Sequence, residues 1–121
     1  MHITSKSDRQ PLVQPWGETV FELIGRPAEH GGAAGHSLAH IVIAPGQAST
    51  RHYHRRSEET YYVLAGAGDM VIDGQTLALC PGQACLIEAG EWHQIFNRGG
   101  SDLEFLAVCA PAWTPGDSFQ A

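Results

Sequence analysis

Glycine and proline interrupt this chain so often that no helix of ordinary length can be drawn in it. Fourteen Gly and seven Pro fall at short intervals along 121 residues. Each is costly inside a helix, through backbone entropy for glycine and a missing N–H for proline. No window carries apolar residues at i, i+3, i+4 and i+7 for long, so any helix is short and peripheral. The segments between the breaks are β-like. Strands are predicted over Glu18 to Ile24, Ser37 to Ala44, Thr60 to Leu64, Asp69 to Ile72, Gln75 to Leu79, Cys85 to Ile87, His93 to Asn97 and Leu103 to Cys109. Asp73-Gly74, set between two of them, is a strong two-residue hairpin signal. Many short strands with regular turn signals imply one all-β domain, a sandwich or a barrel.

The length is that of a single domain. Residues 1–14 are read as a weakly ordered segment, 15–110 as the barrel and 111–121 as an irregular tail that Trp113 is expected to pin to the barrel. Thirteen acidic residues against seven basic ones give a formal charge of -6. That sign opposes binding to nucleic acid or to an anionic membrane. No apolar run approaches the roughly 20 residues that span a bilayer. The start, Met1-His2-Ile3-Thr4-Ser5-Lys6, lacks the apolar core of a signal peptide, and a cytoplasmic location is expected. Cys80, Cys85 and Cys109 make no C-x-x-C pair and read as reduced, small apolar residues.

Seven histidines are unusual for such a chain, and their grouping matters most. His52 and His54 are two apart, so in an extended segment both project from one face, as a chelating pair must. Glu59 follows a short polar turn and opens the next strand, with Tyr61 and Val63 on its face and Glu58 on the other. Taken alone, an H-x-H pair is more often two hydrogen-bonded or surface histidines than a metal site.

The surroundings of the pair resemble the cupin superfamily. Its first motif, G-x5-H-x-H-x4-E-x6-G, is matched from Gly46 to Gly66, and its second, G-x5-P-x-G-x2-H-x3-N, from Gly82 to Asn97. Of ten fixed positions one departs, Glu88 standing where proline is usual. Fifteen residues, Ala67 to Pro81, separate the motifs, as in compact microbial cupins. The resemblance implies a double-stranded β-helix, a jelly-roll-like barrel, with one divalent metal ion on His52, His54, Glu59 and His93.

Three imidazoles and a carboxylate suit Mn, Fe, Ni, Co or Zn and speak against Cu(I) or an iron–sulfur cluster. Four protein ligands on a six-coordinate ion leave two positions for an oxygen-rich molecule such as a keto acid, sugar or phenolic. Two readings follow: a metal-dependent oxygenase, isomerase or lyase, or a binding and sensing module without turnover. No catalytic residue is assigned, and whether His40 or Tyr61 faces the metal would separate the readings. His2, His30 and His36 read as solvated, and Cys85 as core packing. Arg51, Arg55, Arg56 and Arg98 flank the motifs as a basic turn. Asn97 is expected to close the barrel wall by hydrogen bonding. A small-molecule ligand and a homodimer are the expected partners, the dimer pairing through outer sheet faces with Val20 to Ile24 contributing.

Overall fold

The computed structural model describes residues 1–121. Eleven strands run in chain order: β1 (Leu12–Val13), β2 (Glu18–Ile24), β3 (Ser37–Ile43), β4 (His52–His54), β5 (Glu58–Ala65), β6 (Gly68–Ile72), β7 (Gln75–Leu79), β8 (Ala84–Ile87), β9 (His93–Phe96), β10 (Leu103–Ala110) and β11 (Ser118–Gln120). They form two antiparallel sheets, ordered β1-β2-β3-β10-β5-β8 and β11-β4-β9-β6-β7. The only helices are three-residue 3₁₀ turns at Lys6–Asp8, Ala28–His30 and Pro115–Asp117. None is long and apolar enough to cross a membrane.

The period-two burial that strands require is clear on β10, where Leu103, Phe105, Ala107 and Cys109 are buried and their neighbours are not. Leu103, Phe105 and Ala107 meet Ile41, Ile43, Tyr61 and Val63 of the same sheet and Met70, Leu79 and Ile95 of the other, forming one apolar core. The β6–β7 hairpin turns through Asp73 (φ 47) and Gly74 (φ 80), the two positive φ values of a type I′ turn. Gly66 has φ 76, and a Cβ there would stand 2.4 Å from the Asp102 carbonyl oxygen, so only glycine fits.

Both ends of the chain differ from expectation. Leu12 and Val13 pair with Val20 and Thr19, so the first sheet extends into the segment read as weakly ordered. The tail read as irregular carries β11, which pairs with β4 in the registers Ser118–His54 and Gln120–His52. The cause is common to both. β2 and β4 would otherwise be bare sheet edges, and the termini supply the missing ladder partners. Phe119 fastens the second pairing by stacking on Tyr53, ring centroids 5.1 Å apart.

Candidate metal centre

β4 is three residues long, and its alternation buries His52 and His54 while Tyr53 turns outward to Trp92 and Phe119. β5 alternates likewise, so Glu59, Tyr61 and Val63 face inward and Glu58 outward. β9 begins at His93, which stands in register with His52 across the sheet. The turn before it explains the unusual Glu88. Its backbone N–H donates to Glu91 Oε1 at 2.7 Å, a bond that proline could not make.

The four side chains converge. One ligand atom from each of His52, His54, Glu59 and His93 lies within 4.8 Å of the others, and all four residues are buried. The Nδ1–H of His52 donates to the Thr50 carbonyl at 2.9 Å, and that of His93 to the Glu91 carbonyl at 3.0 Å. A carbonyl only accepts, so in each neutral ring the proton sits on Nδ1 and Nε2 presents a lone pair. His93 Nε2 then faces Glu59 Oε1 at 3.2 Å, acceptor against acceptor. His54 Nε2 stands 3.3 Å from the same oxygen without a well-formed hydrogen bond, and both of its ring nitrogens are buried without a partner. Lone pairs converging on one point, held from behind by carbonyls, are the donor set that a divalent cation accepts.

The electrostatics of the residues among themselves agree. Burial alone would raise the Glu59 carboxyl, but with no cation between them the adjacent His54 and His93 rings, when protonated, hold it well below the usual carboxylate range. Burial, with the neighbouring His93, lowers His52 to about 4. Burial would also lower His54, yet its interaction with Glu59, aided by Asp117, turns the shift upward. The second Glu59 oxygen has its own partner, the Cys109 thiol, which donates to Oε2 at 3.2 Å.

A cavity of about 510 Å³ opens from this cluster between the sheets. Tyr61 lines it, with its ring edge-on to His93 at 6.1 Å. His40 faces away and pairs with Glu104 at 3.0 Å. Cys85 packs against the core, as expected, and Asn97 bridges the Ile43 and Ser101 carbonyls, closing the wall. His30 departs from the solvated reading, since it lines the cavity beside Glu22. Arg51, Arg55 and Arg98 lie over Trp92, Phe119 and Phe96, outside the cavity.

Two residues that sequence reasoning passed over belong to the wall. Glu18 accepts from Trp16 Nε1 at 3.2 Å and from the Thr50 N–H at 3.1 Å, and burial raises its carboxyl above the ordinary value. Cys109 looked like one more apolar position of β10. The alternation Glu18-x-Val20-x-Glu22, with acids in phase with an inward valine, was the available signal for Glu18.

A model of the cupin domain family matches residues 39–109, more than half of the chain. The chain belongs to the cupin family. Among curated cupin relatives, the oxalate-binding protein of Thermotoga maritima is 36% identical over 89 residues, which cover 74% of this chain and 72% of that protein. The tetracenomycin polyketide synthase protein TcmJ of Streptomyces glaucescens is 35% identical over 80 residues, 66% of this chain and 54% of TcmJ. This cupin thus spans about half of that relative. Among solved structures, a predicted oxalate decarboxylase of Thermotoga maritima superposes with a TM-score of 0.79 at 28% identity, covering 91% of this chain and 99% of that one.

Proposed function

We propose that this cupin binds one divalent transition metal ion on His52, His54, Glu59 and His93 and acts on a small oxygen-rich molecule held beside it. The observation that carries the reading is the lone-pair geometry. Two histidines are tautomer-locked by carbonyls, and all four ligand atoms lie within 4.8 Å. A bound ion would supply Lewis-acid polarisation of a keto acid, sugar or phenolic through two adjacent oxygens. The similarity to an oxalate-binding protein supports a ligand that chelates in this way.

The protein's own groups favour an enzyme of oxygenase, isomerase or lyase type. Glu18, a half-buried carboxyl that burial raises above its ordinary value, lines the same cavity and is a candidate to carry a proton there. Burial and the Glu59 charge keep Tyr61 protonated, so it serves as a donor and not as a base. A binding role without turnover is the second reading, consistent with a Cys109 thiol that burial and the Glu59 charge keep protonated and so unready as a nucleophile. Pairing of two copies fits the edge strand β8. Leu86 is 57% exposed there, and Tyr62 and Leu64 of β5 beside it are each 43% exposed.

Metal analysis of untagged protein, purified without added metal, tests the proposal by plasma mass spectrometry. One divalent ion per chain is expected, lost in His52→Ala and His93→Ala variants that keep their β-sheet circular dichroism. Full metal retention in either variant would overturn it.

A further inference from the structure

Every buried side-chain nitrogen or oxygen without a hydrogen-bond partner in this protein belongs to a residue lining the cavity that opens from the cluster. Two of these atoms are the ring nitrogens of His54, at the metal end. The other three are Arg9 Nε, Glu22 Oε1 and His30 Nδ1, at the opposite end. Buried polar atoms are almost always partnered, so orphans gathered at two ends of one cavity mark where ligand atoms are received.

Strand register gives the separation. Glu22 stands opposite Ala39, Ala39 opposite Ala107, and Ala107 opposite Tyr61, one row across the inner face of the sheet. The next row, Val20, Ile41, Phe105 and Val63, is filled with large side chains. Two alanines in the middle of the first row leave a trough between Glu22 and the metal end. β2 and β5 are three strand spacings apart, about 14 Å.

The chemistry of the far end is mixed. Arg9 is held by a 2.6 Å bond from Nη2 to the Glu29 carbonyl, which leaves its Nε–H free to donate. Glu22 Oε1 can only accept, and His30 Nδ1, 3.5 Å from it, takes either role by tautomer. A hydroxyl both donates and accepts and so matches all three, whereas a carboxylate would leave Glu22 unmatched. The residues around the cavity include five acids, Asp8, Glu18, Glu22, Glu29 and Glu59, and a single arginine, Arg9, a balance that disfavours a second negative charge.

We propose that Arg9, Glu22 and His30 form a second subsite that binds the neutral, hydroxyl-bearing end of an elongated ligand whose other end is chelated at the His52–His54–Glu59–His93 cluster. The chelated end rests on the metal reading above. Oxalate, two carbons long and doubly charged, would reach only the metal end.

Calorimetric titration of the manganese-loaded full chain with gluconate and glycolate tests this. The two probes share a 2-hydroxy acid head, and only gluconate carries a polyol tail. Gluconate is expected to bind about tenfold tighter or more, the worth of one or two extra hydrogen bonds. Arg9→Ala and His30→Ala should each reduce that ratio toward one while glycolate affinity and manganese stoichiometry stay unchanged, which also shows that the variants fold. Equal affinities in the natural chain, or a ratio untouched by both variants, would overturn the subsite and leave the metal reading standing. Failure of the natural chain to take up manganese would overturn the metal reading instead. Titration without the ion then decides the subsite: gluconate binding lost in Arg9→Ala upholds it, and no gluconate binding overturns it.

Discussion

The Cys109 thiol donates to Glu59 Oε2 at 3.2 Å, while Glu59 Oε1 faces His54 and His93 at 3.3 and 3.2 Å. One carboxylate oxygen is thus tethered to the barrel wall and the other presented to the histidines. Burial, reinforced by the Glu59 charge, raises the thiol far above its ordinary value, so it stays protonated and keeps its donor. Cys109→Ala is expected to weaken metal binding about tenfold or more, as loss of partners behind a ligand generally does. Cys109→Ser, which keeps a donor there, should retain most of the affinity. Competition against a chelating dye reads both. Unchanged affinity in the alanine variant would show that Glu59 needs no tether.

Asp117 joins the C-terminal segment to the turn that leads into Glu59. Its carboxylate accepts from the Arg56 N–H at 2.8 Å and the Ser57 N–H at 3.0 Å. Burial opposes its ionisation, but these bonds prevail and hold it below the ordinary 3.8. A depressed acid stabilises the fold above its unfolded value and loses that contribution as pH falls through its folded value. Urea midpoints should therefore decline below about pH 4 in part through this group. Asp117→Ala should remove that part of the decline and lower neutral-pH stability by about 2 kcal/mol.

Asn97 is 1% exposed and makes three hydrogen bonds: its amide donates to the Ile43 and Ser101 carbonyls, and its Oδ1 accepts from Gly99 N–H. Asn97→Ala removes the side-chain partner of the buried Ile43 carbonyl and breaks the bonds that hold the Gly99–Ser101 turn. A loss of about 3 kcal/mol is expected in chemical denaturation, with metal stoichiometry retained because the residue does not touch the cluster. Loss of metal from a folded variant would contradict that separation.

Metal should stabilise by mass action. At a free manganese or zinc concentration 100 times the dissociation constant, the fold gains about 2.7 kcal/mol. Tm should rise on addition, fall on chelation with EDTA, and stop responding in His54→Ala. A response that persists in the variant would locate the binding elsewhere.

Light scattering tests the pairing of copies. The chain weighs 13.0 kDa, so a dimer reads twice that mass. Leu86→Lys places a charge on the exposed edge strand and should give a monomer of unchanged fold. A monomer from the unaltered chain at micromolar concentration would defeat the dimer. Val20 packs on the core, so Phe21, beside His40, is the β2 side chain available to a partner copy.

The cluster was legible because its geometry is local. Parity along β4 and β5 aims His52, His54, Glu59 and Tyr61, whereas His93 entered only through the resemblance of its motif to that of the cupins. Most strand bounds followed from Gly and Pro punctuation for the same reason. The rest depends on pairings between residues far apart in the chain. Cys109 reaches Glu59 across 50 positions, and Arg9, Glu22 and His30 meet the cavity only once β2 has joined the sheet beside β3. β4 was legible as extended chain, but nothing in residues 52–54 signals that residues 118–120 lie alongside.

That last pairing bears on timing during synthesis. β4 touches β9 through a single registered pair and is held on its other side by β11. The strand bearing two of the four convergent side chains therefore lacks its flanking partner until residue 120 has left the ribosome. Closure of the flank of β4 thus waits for residues made well after the histidines that it carries.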